Sequence, residues 1–228
     1  MTRSVRILGF RAALIAASGG IAFTVTGLLA LAGLLRSPWD PVIPDGASFV
    51  MALAFVVLMA CIHEAAPPSE RIWSLVALAI SILYAAMVSI VYMTVITFVT
   101  PALERGSQLQ VAPFVFDLNG SFMQAVDGVG YFFQCLATLF AAPVFAALGQ
   151  SWIRRAFVAN GMAGFFVLLA YMPLVIPAPL YQVIMPLGGL WIVTYPAATL
   201  LAASYFRSEQ TRVTAPAVAA AAPVSASA

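Results

Sequence analysis

The chain contains very little charge, and it has no lysine at all. Charged residues make up 8% of its 228 residues, whereas a soluble globular domain has about 25%. Hydrophobic residues make up 63%, and the mean hydropathy is +1.03. So few charges cannot cover the surface of a water-soluble domain of this size. We therefore expect lipid to surround most of the chain.

Cysteine and histidine are also scarce. Cys61 and Cys135 are the two cysteines, and both lie inside apolar segments with no CxxC pair, which argues against a disulfide framework or a redox motif. His63 is the single histidine, so a site that needs two histidines from one chain is excluded, including bis-histidine haem. We therefore expect no metal and no cofactor.

Several motifs that carry chemistry are missing. The sequence contains no glycine-rich phosphate loop, no GxSxG elbow, no pair of clustered carboxylates and no basic patch. The net charge is only +2. These absences argue against an enzyme and against nucleic acid as a partner.

Long apolar segments are what the sequence does have. A helix needs about 20 apolar residues to cross the hydrocarbon core of a bilayer, and the segments are apolar on every face, unlike the alternating strands of a membrane barrel. We predict an all-α, polytopic bundle of about six transmembrane helices, forming one domain over residues 1–206. The predicted spans are about 12–35, 47–66, 72–100, 122–148, 156–176 and 180–206.

The ends and connections are predicted from turn chemistry. The apolar part of the first span is 24 residues long, which exceeds the roughly 7–15 of a signal peptide, so we expect a retained helix. Proline-containing turns at 37–46, 67–68 and 177–179 separate neighbouring spans. The segment 207–228 is rich in alanine, proline, valine and serine, and we predict a disordered cytoplasmic tail.

The arginines indicate an orientation. With six spans, Arg36 and Arg105 fall on one side of the membrane, and the other eight fall on the opposite side. Those eight are Arg3, Arg6, Arg11, Arg71, Arg154, Arg155, Arg207 and Arg212. The positive-inside rule then puts both termini in the cytoplasm. Arginine without lysine, together with abundant alanine, is typical of a GC-rich bacterial genome, so we predict the bacterial cytoplasmic membrane.

Asp127 is the acidic residue that falls within a predicted span. Ser121 resembles an N-cap, with Gln124 completing a capping box, so Asp127 lies about 9 Å along the helix. Gln124, Asp127, Tyr131 and Gln134 share one helical face, which favours a polar path or binding site inside the bundle. The alternative is an interfacial carboxylate that stabilises the positive end of the helix.

His63 and Glu64 form a second candidate pair. They resemble the start of the zinc motif HExxH, but the position of the second histidine is occupied by Pro67. One interpretation is a pH-sensitive gate at the cytoplasmic end of the second span. The other is an interfacial cap that exchanges hydrogen bonds with lipid headgroups.

Two further segments allow alternatives. The apolar stretch 111–116 is too short to span, and it either lies on the outer surface or covers the polar face of Asp127. The sixth span contains Pro186, Gly188, Gly189 and Pro196, which predict either a simple kink or a break that exposes backbone carbonyls.

Two function classes remain. The first is a small-solute or proton-linked transporter or channel, with the Asp127 face lining the path. The second is a non-catalytic accessory or assembly subunit, which would act through small-residue helix faces on a membrane-protein partner or a second copy. One small-residue face is Ala16, Gly20, Thr24 and Gly27, and another is Ser81, Ala85 and Ser89.

Overall fold

The structure is a computed structural model, and it describes residues 1–115, 121–173 and 175–220, with side chains as far as residue 208. It is 87% helical, and no strand occurs among the described residues. Six helical stretches are long and apolar enough to cross a membrane. The predicted all-α class and the number six are thereby confirmed.

The described residues form six long helices and one shorter helix, because the last span is divided in two. They are α1 (Arg3–Leu31), α2 (Trp39–Ala65), α3 (Arg71–Thr94), α4 (Phe122–Ala147), α5 (Ser151–Ala170), α6 (Ala178–Gly189) and α7 (Trp191–Ala220). The third span continues beyond α3 through a π-helical turn, Val95–Val99, into the short helix Thr100–Glu104. Short helical turns at Pro68–Glu70, Gln108–Val111 and Ala112–Phe114 lie in the connections.

The start of α2 differs most from the prediction. We expected a turn over residues 39–46, but the helix begins at Trp39 and includes Pro41 and Pro44. Proline is tolerated in the first helical turn, where the N–H would have no intrahelical acceptor. Pro44 lies one turn further on, so the carbonyl of Asp40 lacks the i→i−4 donor that another residue would supply.

The C-terminal segment also differs. We predicted disorder from residue 207, whereas α7 continues to Ala220. Residues 221–228 of the predicted tail lie outside the described residues. The fifth helix is displaced towards the N-terminus, because it covers Ser151–Ala170 instead of 156–176.

The six membrane-length stretches form a closed ring. In order around it, α1 packs on α2, α2 on α3, α3 on α4, α4 on α5, α5 on α7, and α7 on α1. The short helix α6 packs mainly on α5. Each helix therefore turns one face to the centre of the ring and another to the outside.

Small residues let neighbouring helices approach closely. A Cβ atom added at Gly19 of α1 would lie 2.7 Å from the Cβ of Met51 on α2, and one added at Gly164 of α5 would lie 2.4 Å from the Cβ of Cys135 on α4. Ala16 and Ser81, from the two predicted small-residue faces, are fully buried. Much of these faces is thus covered by the chain's own helices.

The two ends of the ring centre differ in chemistry. Near the end that carries both termini, the centre is filled by buried aromatic and aliphatic side chains, which include Phe145, Phe157, Phe206, Leu58 and Ile62. The opposite end, where α2 and α4 begin, contains the buried polar side chains Ser48, Thr100, Gln124 and Asp127. We call the first the arginine-rich end and the second the arginine-poor end.

Candidate functional site

The predicted polar face of α4 lies inside the ring. Gln124, Asp127, Tyr131 and Gln134 are each between 0% and 3% exposed. The Ser121 hydroxyl caps the helix by accepting a hydrogen bond from the Gln124 N–H at 3.2 Å, as the capping pattern predicts. Asp127 is therefore enclosed by protein and not placed at the surface of the bundle.

The Asp127 carboxyl is only partly satisfied. The Tyr171 hydroxyl, just beyond the end of α5, donates to Asp127 Oδ2 at 2.9 Å. The Tyr92 hydroxyl also interacts with the carboxyl, but the other oxygen, Oδ1, is buried and has no hydrogen-bond partner among the described residues. The next residue, Gly128, makes room for the tyrosine, since a Cβ added there would lie 2.4 Å from Tyr171 Cγ. A buried carboxyl oxygen without a donor is costly unless a ligand or water fills the place.

A hydroxyl network lies one turn deeper. The Tyr131 hydroxyl hydrogen-bonds to Ser48 Oγ of α2 at 2.8 Å and to the Tyr92 hydroxyl of α3 at 2.7 Å. All three side chains are buried. The network ties three helices together directly beneath Asp127.

Gln134 is held by a side chain from α7, which lies on the far side of α5 in the ring. The Trp191 indole N–H donates to Gln134 Oε1 at 2.6 Å, while Gln134 Nε2 has no hydrogen-bond partner among the described residues. Trp191 is the first residue of α7, immediately after the break at Leu190. Its ring also meets that of Tyr131 edge-on, with centroids 4.7 Å apart.

The break in the sixth span therefore positions a side chain. At the break itself the Leu187 carbonyl accepts the Leu190 N–H, and the Leu190 carbonyl accepts from the N–H groups of Val193 and Thr194. Both carbonyls are thus occupied. Of the two predicted alternatives, a break is present, but these carbonyls are not left exposed.

A cavity of about 610 Å³ lies at the arginine-poor end. Three carboxylic acids, Asp40, Asp45 and Asp127, line it together with the phenols of Tyr92 and Tyr171. Its other lining residues are Phe23, Gly27, Ala30, Leu31, Pro41, Pro44 and Val95. No basic residue is among them. We call this space the acidic cavity.

Asp40 and Asp45 are site residues that the sequence analysis missed. They were assigned to a turn, but α2 begins early enough to carry both on its first two turns. Asp45 interacts electrostatically with Asp127, and Asp40 Oδ1 is buried with no hydrogen-bond partner among the described residues. No described residue forms a salt bridge with any of the three acids. A positive ligand would therefore supply the counter-charge that no described residue gives these acids.

A second, smaller cavity of about 220 Å³ adjoins the first. Phe23 and Tyr171 line both cavities and stand between them. The rest of the smaller one is apolar or aromatic, lined by Tyr131, Trp191, Val167, Ala170, Met185, Gly188, Gly189 and Ile192. We call it the aromatic cavity.

His63 and Glu64 lie at the other end of the bundle. His63 Nδ1 and Ser74 Oγ are 2.9 Å apart, so the imidazole links the end of α2 to the start of α3. Glu64 is exposed, and neither residue lines the acidic or the aromatic cavity. His63 therefore forms a hydrogen bond that joins two helices. The pH-sensitive gate at His63 and Glu64 remains a prediction.

The stretch after Gln108–Val111 packs on the extension of the third span. Val111 is fully buried against Val99 and Ala102, and the Phe114 ring meets Phe98 edge-on with centroids 5.8 Å apart. Residues 111–115 line neither cavity. Phe116, the last residue of the predicted segment, lies outside the described residues.

No family model, curated protein or solved structure matches this chain. Within the described ranges, no group of three histidine, cysteine, aspartate or glutamate side chains is arranged to hold a metal ion. The function must therefore be inferred from the two cavities and the buried polar groups around them.

Proposed function

We propose that this chain is a multi-pass protein of the bacterial cytoplasmic membrane that moves a small solute or a proton across the bilayer. The observation that carries the proposal is the buried Asp127, with one oxygen unpaired, in the wall of the acidic cavity. An ionisable side chain inside a membrane bundle is expensive and marks a functional site by default.

The distribution of charge supports an orientation with both termini in the cytoplasm. By sequence position, the arginine-rich side carries eight arginines and three acids, whereas the arginine-poor side carries two arginines and five acids. The net charges are therefore +5 and −3. Cytoplasmic loops are the ones enriched in arginine, so in this proposal the acidic cavity faces the outside of the cell.

The geometry of the ring supports alternating access. The acidic cavity occupies the outer half, and packed aromatic side chains close the cytoplasmic half at Phe145, Phe157 and Phe206. Two irregular places adjoin the cavities: the π turn Val95–Val99, which contributes Val95, and the α6–α7 break, which contributes Gly189 and Trp191. Such interruptions are where helices bend. We propose that bending there opens the inner half.

Flux across a defined membrane tests this function. The purified protein is reconstituted into liposomes, and currents are recorded on a solid-supported membrane after jumps of pH or of cationic, zwitterionic and neutral solutes. We expect a current that Asp127→Asn abolishes while the variant accumulates normally. Glu104→Gln is the matched control, because Glu104 lies at the same end, bonds to Ser37 and does not line the cavity. Equal currents in wild type and Asp127→Asn would contradict the proposal.

One observation favours the second candidate, an accessory or assembly subunit. The outer face between α1 and α2 carries a groove lined by the small residues Ser18, Gly19, Ala22, Gly46 and Ala47. A small-residue groove suits close approach of another helix in lipid. Native mass spectrometry of the protein extracted from its own membrane separates the two functions. A second protein at fixed stoichiometry favours the accessory subunit, and a lone chain or homo-oligomer favours transport.

A further inference from the structure

The acidic and aromatic cavities together define a ligand class. We propose that they bind one small amphipathic organic cation: an amine or quaternary ammonium whose charged group lies among Asp40, Asp45 and Asp127 and whose apolar group lies in the aromatic cavity. This inference rests on the proposed function, because it names the solute class that the Asp127 site would take.

The positive charge of the ligand follows from the acidic cavity. Three carboxyl groups line it with no basic side chain to balance them, and two of their oxygens, Asp40 Oδ1 and Asp127 Oδ1, are buried without a hydrogen-bond donor among the described residues. An ammonium N–H would supply that donor and the missing charge at once. Neutral or anionic solutes would supply no counter-charge to these carboxyls.

Aromatic rings extend the site for a cation. Phe23 and Tyr171 line both cavities, and Phe23 lies 6.1 Å from Tyr131 and 6.1 Å from Trp191 between ring centroids. Cations are attracted to the faces of aromatic rings within about 6 Å, and more strongly where water is excluded. A charged group that crosses between the cavities would therefore stay in favourable surroundings.

The apolar part of the ligand follows from the aromatic cavity. Its volume is about 220 Å³, and its walls are carbon-rich apart from the phenols and the indole, whose N–H is already donated to Gln134. Such apolar walls would not stabilise a fully hydrated inorganic cation. The volume of the acidic cavity alone, about 610 Å³, falls within the range of about 300–1,000 Å³ typical of ligand pockets.

Calorimetric titration of the detergent-solubilised full chain tests the ligand class. The probe is 2-phenylethylammonium, and each comparison removes one property: 2-phenylethanol lacks the charge, ethylammonium lacks the apolar body, and 3-phenylpropanoate reverses the charge. We expect 2-phenylethylammonium to bind at least about tenfold more tightly than each of the three, which corresponds to about 1.4 kcal/mol.

Two variants locate the ligand. Asp127→Asn should weaken the binding of 2-phenylethylammonium at least about tenfold and leave the affinity for 2-phenylethanol unchanged. Ile192 lies at an exposed position in the wall of the aromatic cavity. Ile192→Phe should weaken the binding of 2-phenylethylammonium and leave the affinity for ethylammonium unchanged. Glu104→Gln should leave the affinity for each of these ligands unchanged.

The outcomes separate this inference from the proposed function. If no amine binds, or if Na⁺ alone produces the Asp127-dependent heat, the ligand class is wrong, while an Asp127-dependent proton current would leave the transport function standing. If the amine binds as expected but neither the amine nor a jump of pH evokes flux in liposomes, the site is correct and transport is wrong. Equal affinities for 2-phenylethylammonium and 2-phenylethanol would also overturn the ligand class.

Discussion

Replacement of Asp127 by asparagine should show whether the charge of this side chain, as distinct from its shape, is needed for cation binding. The asparagine Oδ1 can keep the hydrogen bond from Tyr171, which is 2.9 Å long in the wild type. The amide NH2 then takes the place of the carboxyl oxygen that has no partner among the described residues. The side chain keeps its volume, and the cavity loses one negative charge.

Asp127→Asn should change cation affinity much more than folding stability. A hydrogen bond to a charged group contributes about 1.5–3 kcal/mol, so affinity for a cation should fall between about 10-fold and 150-fold at 1.4 kcal/mol per tenfold change. Folding should change little or become more favourable, because replacing a buried charge that lacks full compensation by a neutral group often stabilises. A large functional loss with an intact fold is therefore the predicted signature.

Both quantities can be measured on one preparation. Calorimetric titration with 2-phenylethylammonium gives the affinity, and thermal unfolding followed by tryptophan fluorescence in the same detergent gives the stability. Glu104→Gln removes one acid from the same end of the bundle and should change neither quantity. If Asp127→Asn lowers the unfolding temperature markedly while the surviving protein binds cations normally, then Asp127 has a structural role and the reasoning is wrong.

Three further substitutions test the geometry around the carboxyl. Tyr171→Phe removes the donor to the carboxyl and should cost about 0.6–1.7 kcal/mol of stability, the range for hydrogen bonds inside membrane bundles, measured by thermal unfolding. Gly128→Ala should displace the same tyrosine ring and lower both stability and cation affinity. Gly27→Ala, with no heavy atom within 4 Å of the added Cβ, should keep or slightly raise stability, because alanine is a better helix former than glycine. Trp191→Phe leaves Gln134 Oε1 with only the weak bond from the Cys135 thiol at 3.5 Å, which should cost about 1–3 kcal/mol, and an unchanged unfolding temperature would show that the indole bond is unimportant.

The number and nature of the spans could be predicted because the bilayer imposes them. A helix must satisfy all its backbone groups and cover about 30 Å of hydrocarbon, which requires about 20 apolar residues. The face of Gln124, Asp127, Tyr131 and Gln134 could be predicted for a similar reason, since helical periodicity alone brings these positions together.

The rest of the site could not be predicted, since its parts come from distant segments. Tyr171 lies 44 residues from Asp127 along the chain, and Trp191 lies 57 residues from Gln134. Periodicity does not show which helices are neighbours or where they turn. Asp40 and Asp45 were missed because Pro41 and Pro44 resemble turn residues, whereas here they lie in the first two turns of α2.

Charge-selective labelling of a cysteine in the acidic cavity would test the central claim most directly, without knowledge of the ligand. Gly27→Cys places a thiol in the cavity wall at a half-buried position, in a background where Cys61 and Cys135 are alanine. Ser69→Cys, exposed in the connection between α2 and α3, is the control for the opposite side.

Intact cells are treated with two membrane-impermeant methanethiosulfonates, one carrying a trimethylammonium group and one carrying a sulfonate. The account predicts that the cavity cysteine reacts from outside, several-fold faster with the cationic reagent, and that Asp127→Asn lowers this preference. The ratio of the two rates cancels any effect of the carboxylates on the fraction of thiolate. Labelling from outside at Ser69→Cys alone, or a cavity cysteine that prefers the anionic reagent, would contradict it.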